Sequence, residues 1–192
     1  MNNNTSPLYI ISVLLAVFLS NCCTRDVDSD SKEFLLGYYQ TLESKEVHKF
    51  DDYYEPVLSN WFDQNNIKLD DVKSKSRAYF KKWPISKHVI DFTTLDCTLN
   101  ENGTLNVSYN LDYYCSKQDA EDSLKFNIDI ELLLSEKMKI ISIEDDVITR
   151  TKKEYFSDDW TKIKNSKNAS YYRILTLDKD DNPVGLVKDY YI

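Results

Sequence analysis

Two hydrophobic periods divide this chain. From residue 30 to 84 apolar side chains recur every three or four positions, and from 89 onward they alternate, so helices are expected first and strands after them. Asp30-Ser31-Lys32-Glu33 reads as a helix start, with Asp30 capping ahead of the stripe Phe34, Leu35, Tyr38, Tyr39 and Leu42. Ser44 is placed to cap a second short helix carrying Val47, Phe50 and Tyr54, which Pro56 should end near Glu55. Val57 to Phe62 is apolar and fits either element. A third helix puts Leu69, Val72, Phe80 and Trp83 on one face, with Ser76 in the gap. Asp70 and Asp71 near its start and Lys81 and Lys82 near its end suit the helix dipole, and Pro84 stops it.

Val89–Leu99 and Leu105–Cys115 flank Asn100-Glu101-Asn102-Gly103, where a left-handed Gly103 would give a three-residue hairpin loop. That register sets Leu99 against Leu105, Cys97 against Val107, Leu95 against Tyr109 and Val89 against Cys115, apolar facing apolar. Ile90 and Phe92 break the alternation, which marks Phe92 for a bulge. Cys97 and Cys115 would then lie roughly 26 Å apart along the ribbon at ~3.3 Å per residue. A disulfide needs Cα atoms within about 7 Å, so both are expected as free thiols. Leu124 to Leu134 alternates cleanly with Lys125, Asn127, Asp129 and Glu131, and Lys137 to Ile148 supplies a fourth strand with Ile141 and Ile143 in phase. Residues 151–168 are polar and read as a linker with one weak helical turn around Trp160. Tyr171–Leu177 and Val184–Ile192 form a last hairpin across Asp178-Lys179-Asp180-Asp181-Asn182-Pro183. The expected fold is α+β: N-terminal helices on a curved antiparallel meander, plus a C-terminal hairpin.

Residues 1–21 stand apart from both patterns. The run Leu8–Leu19 spans about 12 residues, short of the roughly 20 that cross a bilayer, and fits a signal-peptide core. It ends in Leu19-Ser20-Asn21-Cys22, which resembles the lipobox of bacterial lipoproteins. The resemblance implies cleavage before Cys22, a diacylglycerol on its thiol, and attachment to the inner or outer membrane of a bacterial envelope. Asn21 and the lack of Lys or Arg ahead of the run depart from the usual pattern, so an ordinary cleaved secretory signal and an uncleaved anchor stay open. Residues 22–31 read as an acidic tether. The chain carries a net charge of −8, which argues against nucleic acid, whose phosphates need clustered Lys and Arg.

The third helix ends Arg77-Ala78-Tyr79-Phe80-Lys81-Lys82-Trp83-Pro84, and with a meander after it this resembles the nuclear transport factor 2-like superfamily over 32–150. The resemblance implies a cone, with helices in the concave face of the sheet and a pocket between them. Its members include isomerases, dehydratases and polyketide cyclases, and many that bind or scaffold. In the final 24 residues, Ala169-Ser170-Tyr171-Tyr172-Arg173, Pro183-Val184-Gly185 and Val187-Lys188-Asp189-Tyr190-Tyr191 resemble the lead-in of MORN-type repeats, at most half a unit.

Tyr38, Tyr39, Tyr53, Tyr54, Trp61, Tyr79 and Trp83 on the helices, with Tyr109, Tyr113 and Ile130 on the sheet, are the candidate pocket wall. Aromatic stripes on helices are more often the stuff of an ordinary core. His48 reads as a solvated helix residue, and His88 follows the Trp-Pro turn near the first strand, where a general-base role is the minor reading. Family enzymes use an Asp or a His–Asp pair inside the cone, and no such pair maps here. Asp112 and Asp129 take the outward parity of their strands, and Asp51 and Asp52 an acidic helix surface. Asp178, Asp180, Asp181 and Asn182 read as a polar turn, without the calcium-loop Gly and Glu. Sequons at Asn102, Asn106 and Asn168 matter only in a eukaryotic secretory route. No phosphate loop, metal spacing or nucleophile elbow is present, so no catalytic residue, cofactor or metal is expected. The leading expectation is a lipid-anchored, non-catalytic domain binding a small apolar or aromatic ligand or a protein partner. The alternatives are a cone-pocket enzyme and an immunity- or antitoxin-like partner protein. A cone filled by Tyr and Leu would count against the enzyme.

Overall fold

The computed structural model describes residues 27–117, 123–164 and 166–192. Residues 1–21, Cys22 and the start of the tether lie outside them. The first helix, α1 (Val27–Glu43), already runs at Val27, so Val27–Ser31 belongs to a helix and not to a tether, and Asp30 is no cap. Ser31 is fully buried beneath it, which a solvated linker would not allow. α1 ends where a second helix was expected to begin. Glu46 N–H donates to the Thr41 carbonyl and Lys45 N–H to Leu42, with Lys45 at φ 57°. This is a Schellman closure with lysine in the position glycine usually takes, so Ser44 lies at the end of α1 rather than capping a new helix. A 3-10 turn (Val47–Lys49) comes next, and then a single-turn α2 (Phe50–Tyr53).

Val57–Phe62 resolves into a strand. β1 (Val57–Trp61) and β2 (Gln64–Lys68) form a hairpin whose turn holds Phe62 at φ 55°. The usual Asn-Gly signal is absent there, so the sequence pattern did not announce it. α3 (Leu69–Lys82) buries Leu69, Val72 and Ser76 and ends at Trp83, as its periodicity predicts.

The meander is β3 (Ile85–Leu99), β4 (Leu105–Ser116), β5 (Ser123–Leu134) and β6 (Ile140–Phe156), each antiparallel to the next. β1 joins β6 in parallel at Asn60 and Trp61, so the sheet is mixed and larger than the expected four strands. The β3–β4 register matches expectation at Leu99↔Leu105 and Cys97↔Val107. It then shifts across a bulge between Asp91 and Asp96, next to the Phe92 marked from sequence. Beyond it Val89 faces Asp112 and Cys115 faces Ser86, correcting the Leu95–Tyr109 and Val89–Cys115 pairs. Cys97 and Cys115 are free. A second irregularity, between Leu133 and Leu134, brings Ile140 and Ile143 inward together, so Ile141 and Ile143 are out of phase.

β6 continues to Phe156, through the first third of the expected linker, and its far end pairs with β8 (Tyr171–Asp178), which pairs with β9 (Pro183–Tyr191). The C-terminal hairpin therefore extends the main sheet. The expected helical turn at Trp160 is a tight bend instead, with Trp160 at φ 62° and Asp159 bonded to Ser157 and Thr161. A two-residue strand, β7 (Lys162–Ile163), lies just beyond it. Asp178 Oδ1 accepts the backbone N–H groups of Asp180 and Asn182, a self-satisfied hairpin turn.

The inner face of the sheet is Leu105, Val107, Tyr109 and Leu111 on β4 and Ile128, Ile130, Leu132 and Leu134 on β5. All are buried against Leu35, Tyr38, Tyr39, Phe50 and Leu58. Each fully buried aliphatic or Phe side chain contributes about 1.5–3 kcal/mol.

Candidate functional site

The helices and the curved sheet enclose a cone, and tyrosines close it. Tyr38 on α1 and Tyr54 after α2 meet hydroxyl to hydroxyl at 2.7 Å, and Tyr39 and Tyr109 do the same at 2.7 Å across the helix–sheet interface. All four rings are buried. Burial pushes the hydroxyls of Tyr38, Tyr39 and Tyr109 well above the usual phenol range and that of Tyr54 up to about 12. They are neutral structural hydrogen bonds, not acids in waiting. Gly37 belongs to the same packing, because a Cβ there would lie 2.7 Å from the Tyr53 hydroxyl.

The remaining candidate wall residues do not converge on one space. Tyr79 and Tyr113 share a hydroxyl contact of 2.8 Å near the surface. Trp61 packs edge-on against Phe62. Trp83 caps α3 beneath the ammonium groups of Lys82 and Lys117. Ile130 lies in the core. The candidate wall residues are thus divided between the core and the surface.

His88 is held more closely than its sequence suggested. Its ring lies between those of Tyr39 and Tyr113, each centroid 4.7 Å away. Its backbone N–H donates to Glu43 Oε1, which also sits 3.2 Å from Nδ1. Burial pushes the imidazole down to about 4 although the Glu43 carboxylate favours its charged form. A groove of about 290 Å³ opens beside the pair, lined by Leu36, Gln40, Glu43, Ile90 and Phe92. Because the native imidazole resists a proton that the unfolded one takes near 6.5, unfolding binds a proton between those values. Stability should therefore fall as pH drops from about 6.5 towards about 4. His88→Gln should flatten that limb, as urea midpoints across the interval would read.

One carboxylate the sequence did not single out takes the inward parity. Asp145 pairs with the core residue Ile130 and stands at the rim of the cone, where its side chain still reaches water. Its pKa is raised, chiefly by partial loss of that water, with Asp146 and Asp63 adding repulsion. His48, Asp51 and Asp52 are exposed, as read from sequence, and Asp51 pairs with Lys73 at 2.7 Å. Among the described residues no group of His, Cys, Asp or Glu could hold a metal, and no helix is long and apolar enough to cross a membrane. The larger hollow, about 570 Å³, lies on the opposite face of the sheet.

No family model matches the sequence, and no curated protein matches it. Among solved structures the chain resembles Aln2 from a Streptomyces species, at TM-score 0.52 and 9% identity over 65% of this chain and 92% of that one. It also aligns with Bd1075 of Bdellovibrio bacteriovorus, at 0.47 and 18% over 62% of this chain and 41% of that one. A SnoaL-like polyketide cyclase from Agrobacterium tumefaciens aligns at 0.45 and 11% over 60% and 89%. At these identities the likeness is one of fold alone. Helices seated on a curved, unclosed mixed sheet, with a C-terminal hairpin added, make this a nuclear transport factor 2-like α+β fold.

Proposed function

We propose that this is a lipid-anchored envelope protein whose domain is a non-catalytic scaffold, binding a protein partner on its outside rather than a small molecule in its cone. The observation that supports this reading is the pair of buried tyrosine contacts, Tyr38–Tyr54 and Tyr39–Tyr109, which set side chains against one another in the interior between the helices and the sheet. The anchor rests on Leu19-Ser20-Asn21-Cys22, and two acyl chains at about 0.8 kcal/mol per buried CH2 make a stable attachment.

Intact-mass analysis of protein isolated from its native envelope, with chemical cross-linking before extraction, tests both halves. The expected result is an N-terminus at Cys22 carrying a diacylglycerol, together with a stoichiometric cross-linked protein. An N-terminus at Met1 removes the anchor, and the absence of any cross-linked protein removes the partner.

The second reading, a cone-pocket isomerase, dehydratase or cyclase, has one observation behind it. Asp145 is a carboxylate with cone-facing parity and a raised pKa, the property a general base or acid needs. Against it, Asp145 is exposed and does not line the groove beside His88.

A further inference from the structure

The outer face of the sheet, the side turned away from the helices, has a regular chemistry. Strand register sets Glu144, Glu131, Ser108 and Asp96 in one row across β6, β5, β4 and β3, and Asp146, Asp129, Asn110 and Asp91 in the next. Both rows read acid, acid, neutral, acid. All six carboxylate residues are exposed. Glu131 and Glu144 stand directly opposite each other, as do Asp129 and Asp146, and like charges so placed oppose folding. None of the six takes part in an ion pair among the described residues; the nearest such pair on this face, Lys125–Asp112, lies one row further on. The first row borders the hollow of about 570 Å³, whose other walls include Ser59, Thr98, Asn106 and Ser142.

We infer that this unpartnered sheet face is the docking surface for a basic, extended segment of a partner protein, laid across β6 to β3. The inference rests on the partner-binding reading above and names the surface and the partner's chemistry. Charge complementarity selects the occupant. A second copy of this chain would bring six carboxylates against six, and an anionic lipid surface would be repelled likewise. A single metal ion does not fit, since no three ligating side chains converge here among the described residues. Lysine and arginine side chains fit, because each brings its own charge and hydrogen-bond donors to carboxylates held on a fixed grid. The four strands span three gaps of about 4.8 Å, which roughly four to five extended residues cover at ~3.3 Å each.

The test uses the full chain and a dye-labelled octapeptide of alternating Lys and Ser, read by fluorescence anisotropy at about 150 mM salt, where long-range attraction is screened. Wild type should bind saturably. Glu131→Gln with Glu144→Gln should weaken binding at least tenfold, while Asp70→Asn with Asp71→Asn, the same charge change on α3, should change it less than twofold. Equal losses in both variants would reduce the effect to net charge and overturn the inference, as would no binding by wild type. Urea unfolding guards against a folding artefact. The Glu131/Glu144 variant should match or exceed wild type in midpoint, because a repulsive pair is gone, and a lower midpoint removes the premise. If the peptide fails while envelope cross-linking still captures a stoichiometric partner, the face is wrong and the partner-binding reading stands. If cross-linking finds none, that reading itself falls.

Discussion

Phe50→Ala should destabilise the protein by about 3–5 kcal/mol, a fall in Tm of the order of 10 °C for a chain of this size. Phe50 is 1% exposed and its ring centroid lies 5.4 Å from that of Tyr54. It opens α2, a single turn of four residues, and a helix that short has no stability of its own. Phe50 is therefore what seats the turn, and the turn is what presents Tyr54 to Tyr38. Removing the ring should leave a cavity and loosen the Tyr38–Tyr54 contact together. Differential scanning calorimetry would read the loss. A change under about 1 kcal/mol would mean that the segment Val47–Tyr54 is held by something other than its burial.

The second large effect is a coupling. Tyr39→Phe should cost about 1–3 kcal/mol, because it strands the Tyr109 hydroxyl in a buried site, and Tyr109→Phe should cost a similar amount. The double variant removes both hydroxyls and strands neither. Its cost should fall short of the sum of the singles by about 0.5–3 kcal/mol, the range found for side chains in contact. Urea denaturation of the four proteins measures this directly. Additive losses would show that the 2.7 Å contact does not hold the cone shut.

The elements that obey a single period were legible. α3 follows from Leu69, Val72, Ser76 and Phe80, and β5 from its alternation up to Leu132, because each presents one face to the core. The breaks were not, and their cause is local. Ser44 looked like a cap because Ser is the common cap, yet Lys45 in the left-handed region closes α1 instead. Asp91 and Asp96 are five residues apart and would fall on opposite faces of a regular strand. The bulge between them turns both outward, so the acidic grid depends on a geometry that alternation does not reveal. The site was half legible in the same sense. The aromatic positions were visible in the helical stripe. Which hydroxyl meets which depends on the distance between α1 and β4, a tertiary quantity, and only those meetings tell a filled cone from an open one.

On the proposed reading, the cone holds side chains and no ligand. Native mass spectrometry of the protein isolated gently from its native source is the decisive measurement. The expected mass is that of the chain with whatever covalent modification it carries, alone or with a protein partner, and with no small molecule retained at one per chain. A non-covalent metabolite or lipid held at that stoichiometry, and lost on Tyr39→Trp, would contradict it and return the cone to the role of a binding or catalytic chamber.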